Sequence, residues 1–108
     1  MFGFFTNPVP QTAPAEIERL LRSATPPFIV DVREQSEYVQ GHIPGSHLIP
    51  LGSLGQRLGE VPKDRTIVTV CRSGARSGNA AKTLHAAGYS VVNLAGGMLA
   101  WRGAVERA

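Results

Sequence analysis

The chain has 108 residues, 43% of them hydrophobic, and 11 Lys and Arg against 8 Asp and Glu give a formal net charge of +3. That length suits one compact domain, residues 1–108, with no room for a second, and the mild basic bias without any lysine or arginine run argues against nucleic-acid binding and for a small anionic substrate. The single cysteine excludes an internal disulfide, a CxxC redox pair and a cysteine-rich metal site.

The first residues, Met1-Phe2-Gly3-Phe4-Phe5, are apolar but far too short for a signal segment or a membrane span. They are expected to pack on the domain, and the protein is expected to be cytoplasmic, with no membrane partner. Val9 to Gln11 reads as a short extended piece between two prolines. Thr12 is the expected helix N-cap, with Pro14 in the first turn and Glu16 near the positive end. Ile17, Leu20 and Leu21 then share one helical face. Pro26-Pro27 ends that helix.

Phe28 to Val32 is a nearly continuous apolar run, which suits a strand buried on both faces. Glu34 to Gln40 reads as a short helix closed by Gly41. Gly41 to Ser46 is turn-rich. His47 to Pro50 is a short strand, placed at an edge by its proline. Leu51 to Leu58 is weakly helical, since Gly52 and Gly55 disfavour it. Thr66 to Val70 is the second β-branched run and the expected centre of the sheet. Ala75 to Ala87 is the strongest helix, with Ala80, Ala81, Leu84 and Ala87 on a small-residue face and Gly88 as its stop. Ser90 to Leu94 is the last strand, and Gly96-Gly97 opens a short helix through Trp101. Such alternation predicts an α/β fold with a mainly parallel sheet and helices on both faces. In sheets of this kind ligands sit beyond the carboxyl ends of the strands. Cys71 stands at one such end; Asp31 and Arg33 stand at another.

Cys71 follows an apolar strand and precedes Arg72-Ser73-Gly74-Ala75-Arg76-Ser77, where a helix begins. Backbone N–H groups converge there and the helix dipole favours an anion, so both stabilise a thiolate. The alternative for a lone cysteine is a small buried hydrophobe. His42, His47 and His85 are scattered, with poor spacing for a metal, and read as loop or core histidines.

The blocks Asp31-Val32-Arg33, Glu37-Tyr38, Gly41-His42-Ile43-Pro44-Gly45-Ser46 and Ile49-Pro50-Leu51 resemble the first half of a rhodanese domain. Val70 through Ser77, Ala86-Ala87-Gly88-Tyr89, and Asn93-Leu94 with Gly96-Gly97-Met98 and Ala100-Trp101 resemble the second half. The blocks keep the family's order and span roughly Pro8 to Gly103. The resemblance implies a three-layer α/β/α fold with a five-stranded, mainly parallel sheet. The cysteine strand would be central, with the Asp31 strand beside it. It also implies a sulfurtransferase. Cys71 would take a sulfane sulfur from a small anionic donor such as thiosulfate and pass it, as a persulfide, to cyanide, a thiol acceptor or a sulfur-carrier protein. No cofactor or metal is implied.

A free cysteine titrates at about 8.5, so such a site must hold its thiolate. Successive N–H groups from Arg72 to Arg76 are expected to curl into an anion-binding nest, with Gly74 easing the turn. Arg72, Ser73, Gly74, Ala75 and Arg76 are thus the candidate substrate-binding residues. Arg72 is the one expected to orient the donor. Arg76 is expected to hold the loop through a carboxylate, Asp31 or Glu37. Asp31 and Arg33 are expected as supporting residues, more structural than catalytic. His42 looks like scaffolding, and Met98 either lines the pocket mouth or joins the core. Two rivals stay open. One is a rhodanese-fold phosphatase, whose loop is longer by one residue and carries arginine where Ser77 stands. The other is a non-catalytic binding module, of which loss of the cysteine is the usual sign.

Overall fold

Two short runs of β-branched residues organise the molecule. Phe28–Asp31, from Ile29 on, and Ile67–Val70 throughout are buried, as runs flanked by helices on two sides must be. A computed structural model of the chain describes residues 7–108, so the Phe-rich start lies outside the described residues. In chain order the elements are β1 (Gln11–Thr12), α1 (Pro14–Leu21), β2 (Phe28–Asp31), α2 (Gln35–Tyr38), β3 (His47–Leu48), β4 (Ile67–Val70), α3 (Ala75–Ala86), β5 (Val91–Leu94) and α4 (Gly97–Ala100). The strands form one five-stranded sheet in the order β1-β5-β4-β2-β3, and every pairing is parallel. β4 is central and β3 is an edge, as the residue pattern predicts.

Strand alternation divides the core in two. Val30, Ile67 and Val91 face α3, packing with Ala80, Ala81 and Leu84. Ile29, Val68, Val70 and Leu94 face the other way and pack with Ile17 of α1 and with Trp101. The result is three layers, α/β/α. Small residues on α3 let it lie close to the sheet, which brings its N-terminus down onto the end of β4.

Two local expectations are corrected. Thr12 does not cap α1; Ala13 occupies the N-cap position without a side-chain bond. Thr12 belongs instead to β1, where its carbonyl accepts the Ala95 N–H at 2.9 Å, and Pro14 starts the helix at its first position. Leu51–Leu58 is not α-helical. It forms two 3₁₀ turns, Leu51–Gln56 and Leu58–Glu60, because glycines at 52, 55 and 59 remove the helix propensity a longer element needs.

Candidate active site: the Cys71 loop

β4 ends at Val70, and α3 begins at Ala75, so Cys71 to Gly74 must turn the chain from strand to helix within four residues. Gly74 makes the turn possible. It occupies the helix N-cap with φ +106°, a left-handed conformation that costs a residue with a Cβ. Its N–H donates to Cys71 Sγ at 3.0 Å, and the Ser77 hydroxyl donates to the same sulfur at 3.3 Å. Burial pushes the Cys71 thiol up. The Ser77 hydroxyl and the N–H groups of Ser77, Gly74 and Ser73 push it down, and they prevail: the thiol titrates below its ordinary value. The sulfur therefore belongs to a buried residue that packs in the apolar core on the α3 side of the sheet, yet N–H and O–H donors reach it. Cys71 is 1% exposed, while Arg72, Ser73 and Ala75 form an exposed rim around it.

The opposite side of the loop is clamped. The N–H groups of Met98 and Leu99, unpaired donors at the start of α4, reach the carbonyls of Cys71 at 2.8 Å and Arg72 at 3.0 Å. In a trans peptide the N–H points opposite to the C=O. Holding those two carbonyls outward turns the N–H groups of Arg72 and Ser73 inward. Gly97 allows the approach. A Cβ there would lie 2.5 Å from both carbonyl oxygens. The Gly96-Gly97 pair is thus more than a turn: it seats α4 against the cysteine loop.

Arg76 leaves the loop and forms a two-pronged ion pair with Glu37, Nη1 to Oε1 and Nη2 to Oε2, each at 2.8 Å. Hydrogen bonding from Arg76 holds the Glu37 carboxyl down to about 2, and the carboxylate in turn raises Arg76. Of the two carboxylates that the sequence leaves open, Glu37 is the partner. Asp31 is fully buried on Arg33, with Nη2 at 2.8 Å, Nε at 3.0 Å and the Arg33 N–H at 3.0 Å. Arg33 also donates to the Gly41 carbonyl at 2.8 Å. Neither residue hydrogen-bonds to the cysteine loop among the described residues. They fasten α2 and the turn after it, and α2 carries Glu37.

Beside the loop lies an open groove of about 280 Å³, lined by Arg33, Glu37, Arg72, Met98 and Leu99 among others. Its charges are unequal. Arg33 and Glu37 are paired, whereas Arg72 is exposed and, among the described residues, makes no ion pair. Met98 lines this groove and also packs against the core, so its two readings are both met.

The histidines stay apart from the sulfur. His42 is buried, stacked on Tyr38 at 3.7 Å, with Nδ1 at 2.8 Å from the Tyr38 carbonyl. His47 lies 2.7 Å from Glu60, and His85 is exposed on α3. Among the described residues no group of three or more His, Cys, Asp or Glu is placed to hold a metal. No helix among them is long and apolar enough to cross a membrane.

Two site residues escape a reading of the sequence. Ser77 lies in the motif after the cysteine and at the place where a phosphatase loop has its arginine, but the sequence assigns it no role of its own. Helical spacing was the available signal: 77, 80, 81 and 84 fall on one face, so a serine there points inward at the loop. The other is Asn93 of β5, whose side-chain amide donates to the Gly74 carbonyl.

The family model for the rhodanese-like domain matches residues 13–104. The chain belongs to the rhodanese-like family. Among its relatives, a putative sulfurtransferase of Bacillus subtilis, YtwF, is 41% identical over 76 residues, which cover 70% of this chain and 74% of that protein. A protein of Allochromatium vinosum named sulfurtransferase is 46% identical over 75 residues, covering 68% of this chain and 70% of its own. The crystal structure of a rhodanese-like domain protein from Staphylococcus aureus superposes with a TM-score of 0.86 at 33% identity, over 93% of this chain and 99% of that one. The rhodanese-like fold accounts for the strand order and for the place of the cysteine at the end of the central strand.

Proposed function

We propose that this rhodanese-like domain is a sulfurtransferase that works through a persulfide on Cys71. The observation that carries the reading is the sulfur held at 3.0 Å by the Gly74 N–H and at 3.3 Å by the Ser77 hydroxyl, with its titration lowered in spite of burial. A thiolate so held attacks the sulfane sulfur of a small anionic donor such as thiosulfate. A new S–S bond forms to Cys71, the donor's S–S bond breaks, and sulfite leaves with the electron pair. An acceptor thiolate then attacks the outer sulfur, and Cys71 leaves again as a thiolate. Cyanide takes the same atom and departs as thiocyanate. Both steps are heterolytic and balance without an oxidant or reductant.

The loop dipoles stabilise negative charge on whichever sulfur bears it, and they are set before the reaction begins. Ser73 and Gly74, together with Ser77, supply N–H groups around the sulfur, and Ala75 lines the exposed rim that a donor meets. Arg72, with no ion-pair partner among the described residues, draws the donor anion to the groove mouth. Arg76 gives loop shape through Glu37, and Asp31 with Arg33 supports α2 behind it. With Cys71 nearly closed off, only the tip of a small donor reaches the sulfur while the rest lies toward Arg72. The chain has no second cysteine, so the acceptor is external: a small thiol or a sulfur-carrier protein. A cytoplasmic setting, which keeps a lone thiol reduced, suits this chemistry.

Intact mass measured after thiosulfate treatment tests the proposal. The expected result is a gain of one sulfur atom that is absent in Cys71→Ser and lost again on adding a thiol. No gain with thiosulfate, an organic persulfide or a persulfidated protein would overturn it in favour of a binding module. Rapid Cys71-dependent hydrolysis of an aryl phosphate would overturn it in favour of a phosphatase.

A further inference from the structure

β5 reads Val91-Val92-Asn93-Leu94, and an asparagine in the middle of a buried strand is costly unless its amide is fully bonded. Asn93 is 1% exposed and every polar atom it has is engaged. Its Nδ2 donates to the Gly74 carbonyl at 3.2 Å and to Gln11 Oε1 at 3.0 Å. Its Oδ1 accepts from the Thr69 hydroxyl at 3.0 Å. The amide's orientation follows from chemistry, since a carbonyl can only accept and must therefore meet Nδ2. Thr69 and Asn93 are paired across β4 and β5, on the strand face that looks toward α3. They lie directly under the point where the cysteine loop becomes helix.

Gly74 is the least constrained residue of that loop, because it has no side chain to restrict its backbone. Its carbonyl is nevertheless held twice, by Asn93 and by the Gly78 N–H at 3.0 Å. The Gly74–Ala75 peptide is thus pinned at its carbonyl end. The N–H of Gly74 itself is the one that donates to Cys71 Sγ at 3.0 Å, so holding the Gly74 carbonyl restricts the rotation of Gly74 that would turn this N–H away from the sulfur.

We propose that Asn93 is a positioning residue for sulfur transfer: anchored by Thr69 and Gln11, it fixes the Gly74–Ala75 peptide so that the loop's N–H groups face the sulfur anion. The geometry stands alone; the consequence for transfer rests on the persulfide reading above. Met98 and Leu99 hold the first half of the loop from one side, and Asn93 holds the second half from below. A free peptide would have to be reoriented in each turnover, whereas a pinned one stabilises the anion without rearrangement.

Two neutral variants of similar shape test this: Asn93→Leu, which removes the amide, and Thr69→Val, which removes the hydroxyl that anchors it. Three quantities are measured: the thiolate absorbance of Cys71 against pH, the rate of sulfur uptake from thiosulfate, and Tm. Asn93→Leu is expected to move the Cys71 midpoint up by about one unit and to slow uptake near neutral pH about ten-fold. Thr69→Val is expected to move both in the same direction by less. A lower Tm with midpoint and rate unchanged would overturn the proposal and leave Asn93 as a core residue only. Should Asn93→Leu fail to fold, Thr69→Val decides by itself: an unmoved midpoint overturns. If the unaltered protein takes up no sulfur, the persulfide reading falls, while the midpoints still decide whether Asn93 positions the loop.

Discussion

Two turns leave the carboxyl edge of the sheet side by side, and they manage charge in opposite ways. β2 and β4 are neighbours in register, with Asp31 level with Val70. The turn after β2 is crowded with ions. Asp31 is locked on Arg33 at 2.8 Å, and Glu37 on Arg76 at 2.8 Å. The turn after β4 meets its sulfur with N–H and O–H dipoles in contact, and the one charge that acts on it, Arg76, does so from a distance while paired to Glu37. The ions neutralise one another permanently and so make a wall. The dipoles have no counterion among themselves and are left to favour whatever anion sits in front of them. A charge that must appear, move to an outer sulfur and depart is better served by the second arrangement. Each prediction below breaks one of the two turns and asks whether the other notices.

The largest effect on stability is expected from Asp31→Ala. The substitution leaves the Arg33 guanidinium buried without its carboxylate, which costs about 3 kcal/mol. For a domain of this size that is a large part of the whole. Urea unfolding measures it. The folded fraction should still take up sulfur at nearly the normal rate, because the ion pair acts on the wall and not on the sulfur. A rate per folded molecule that collapses would erase the distinction between the two turns.

This contrast was partly legible in the sequence. The buried strands and the central place of the cysteine strand follow from two apolar runs and the alternation of elements, whereas the place of the Asp31 strand beside it follows only from the family resemblance. Cys71 and its loop follow from the strand, the glycine and the helix start in immediate succession. What was not legible depends on residues that meet only in the folded chain. Asn93 reaches residues 82, 24 and 19 positions away, and no local pattern announces such a partner. Arg76 had two carboxylates within plausible reach at the same edge. Asp31 was already taken by the arginine two residues on, and only the placement of α2 set Glu37 against Arg76. Thr12 has the residue type of a cap, but its carbonyl belongs to the edge ladder. Local preference lost there to a long-range strand pairing.

A medium effect is expected from Ser77→Ala, which touches the dipole turn alone. The hydroxyl favours the thiolate, so its loss raises the Cys71 pKa. Sulfur uptake should slow about ten-fold below the new midpoint, where the variant holds less thiolate. The deficit should narrow as pH rises and both proteins become fully ionised. Stability should change by about 1 kcal/mol, the net worth of one hydrogen bond. A rate deficit that is the same at every pH would mean that Ser77 acts by shape and not by favouring the anion.

The smallest effect is expected from Glu37→Gln. The Arg76–Glu37 pair is only partly buried, with side-chain exposures of 37% and 29%, so water screens it and its worth is about 1 kcal/mol or less. The sign with pH is fixed by the direction of the shift. Hydrogen bonding from Arg76 holds the Glu37 carboxyl at about 2 in the folded chain, below its ordinary value of 4.5. Its contribution is therefore complete above the ordinary value and is lost as pH falls through about 2. The stability gap between the unaltered protein and Glu37→Gln should be widest near neutral pH, narrow on acidification below 4.5, and close near pH 2. Urea unfolding at a series of pH values follows it. Because this pair joins the ionic turn to the dipole turn, the same variant measures how tightly the two are coupled. Loss of the pair frees Arg76 at the loop rim, where its charge already acts on Cys71 through space. The Cys71 midpoint should then fall slightly or stay in place. A rise would mean that the ionic turn, through Arg76, sets the aim of the dipoles.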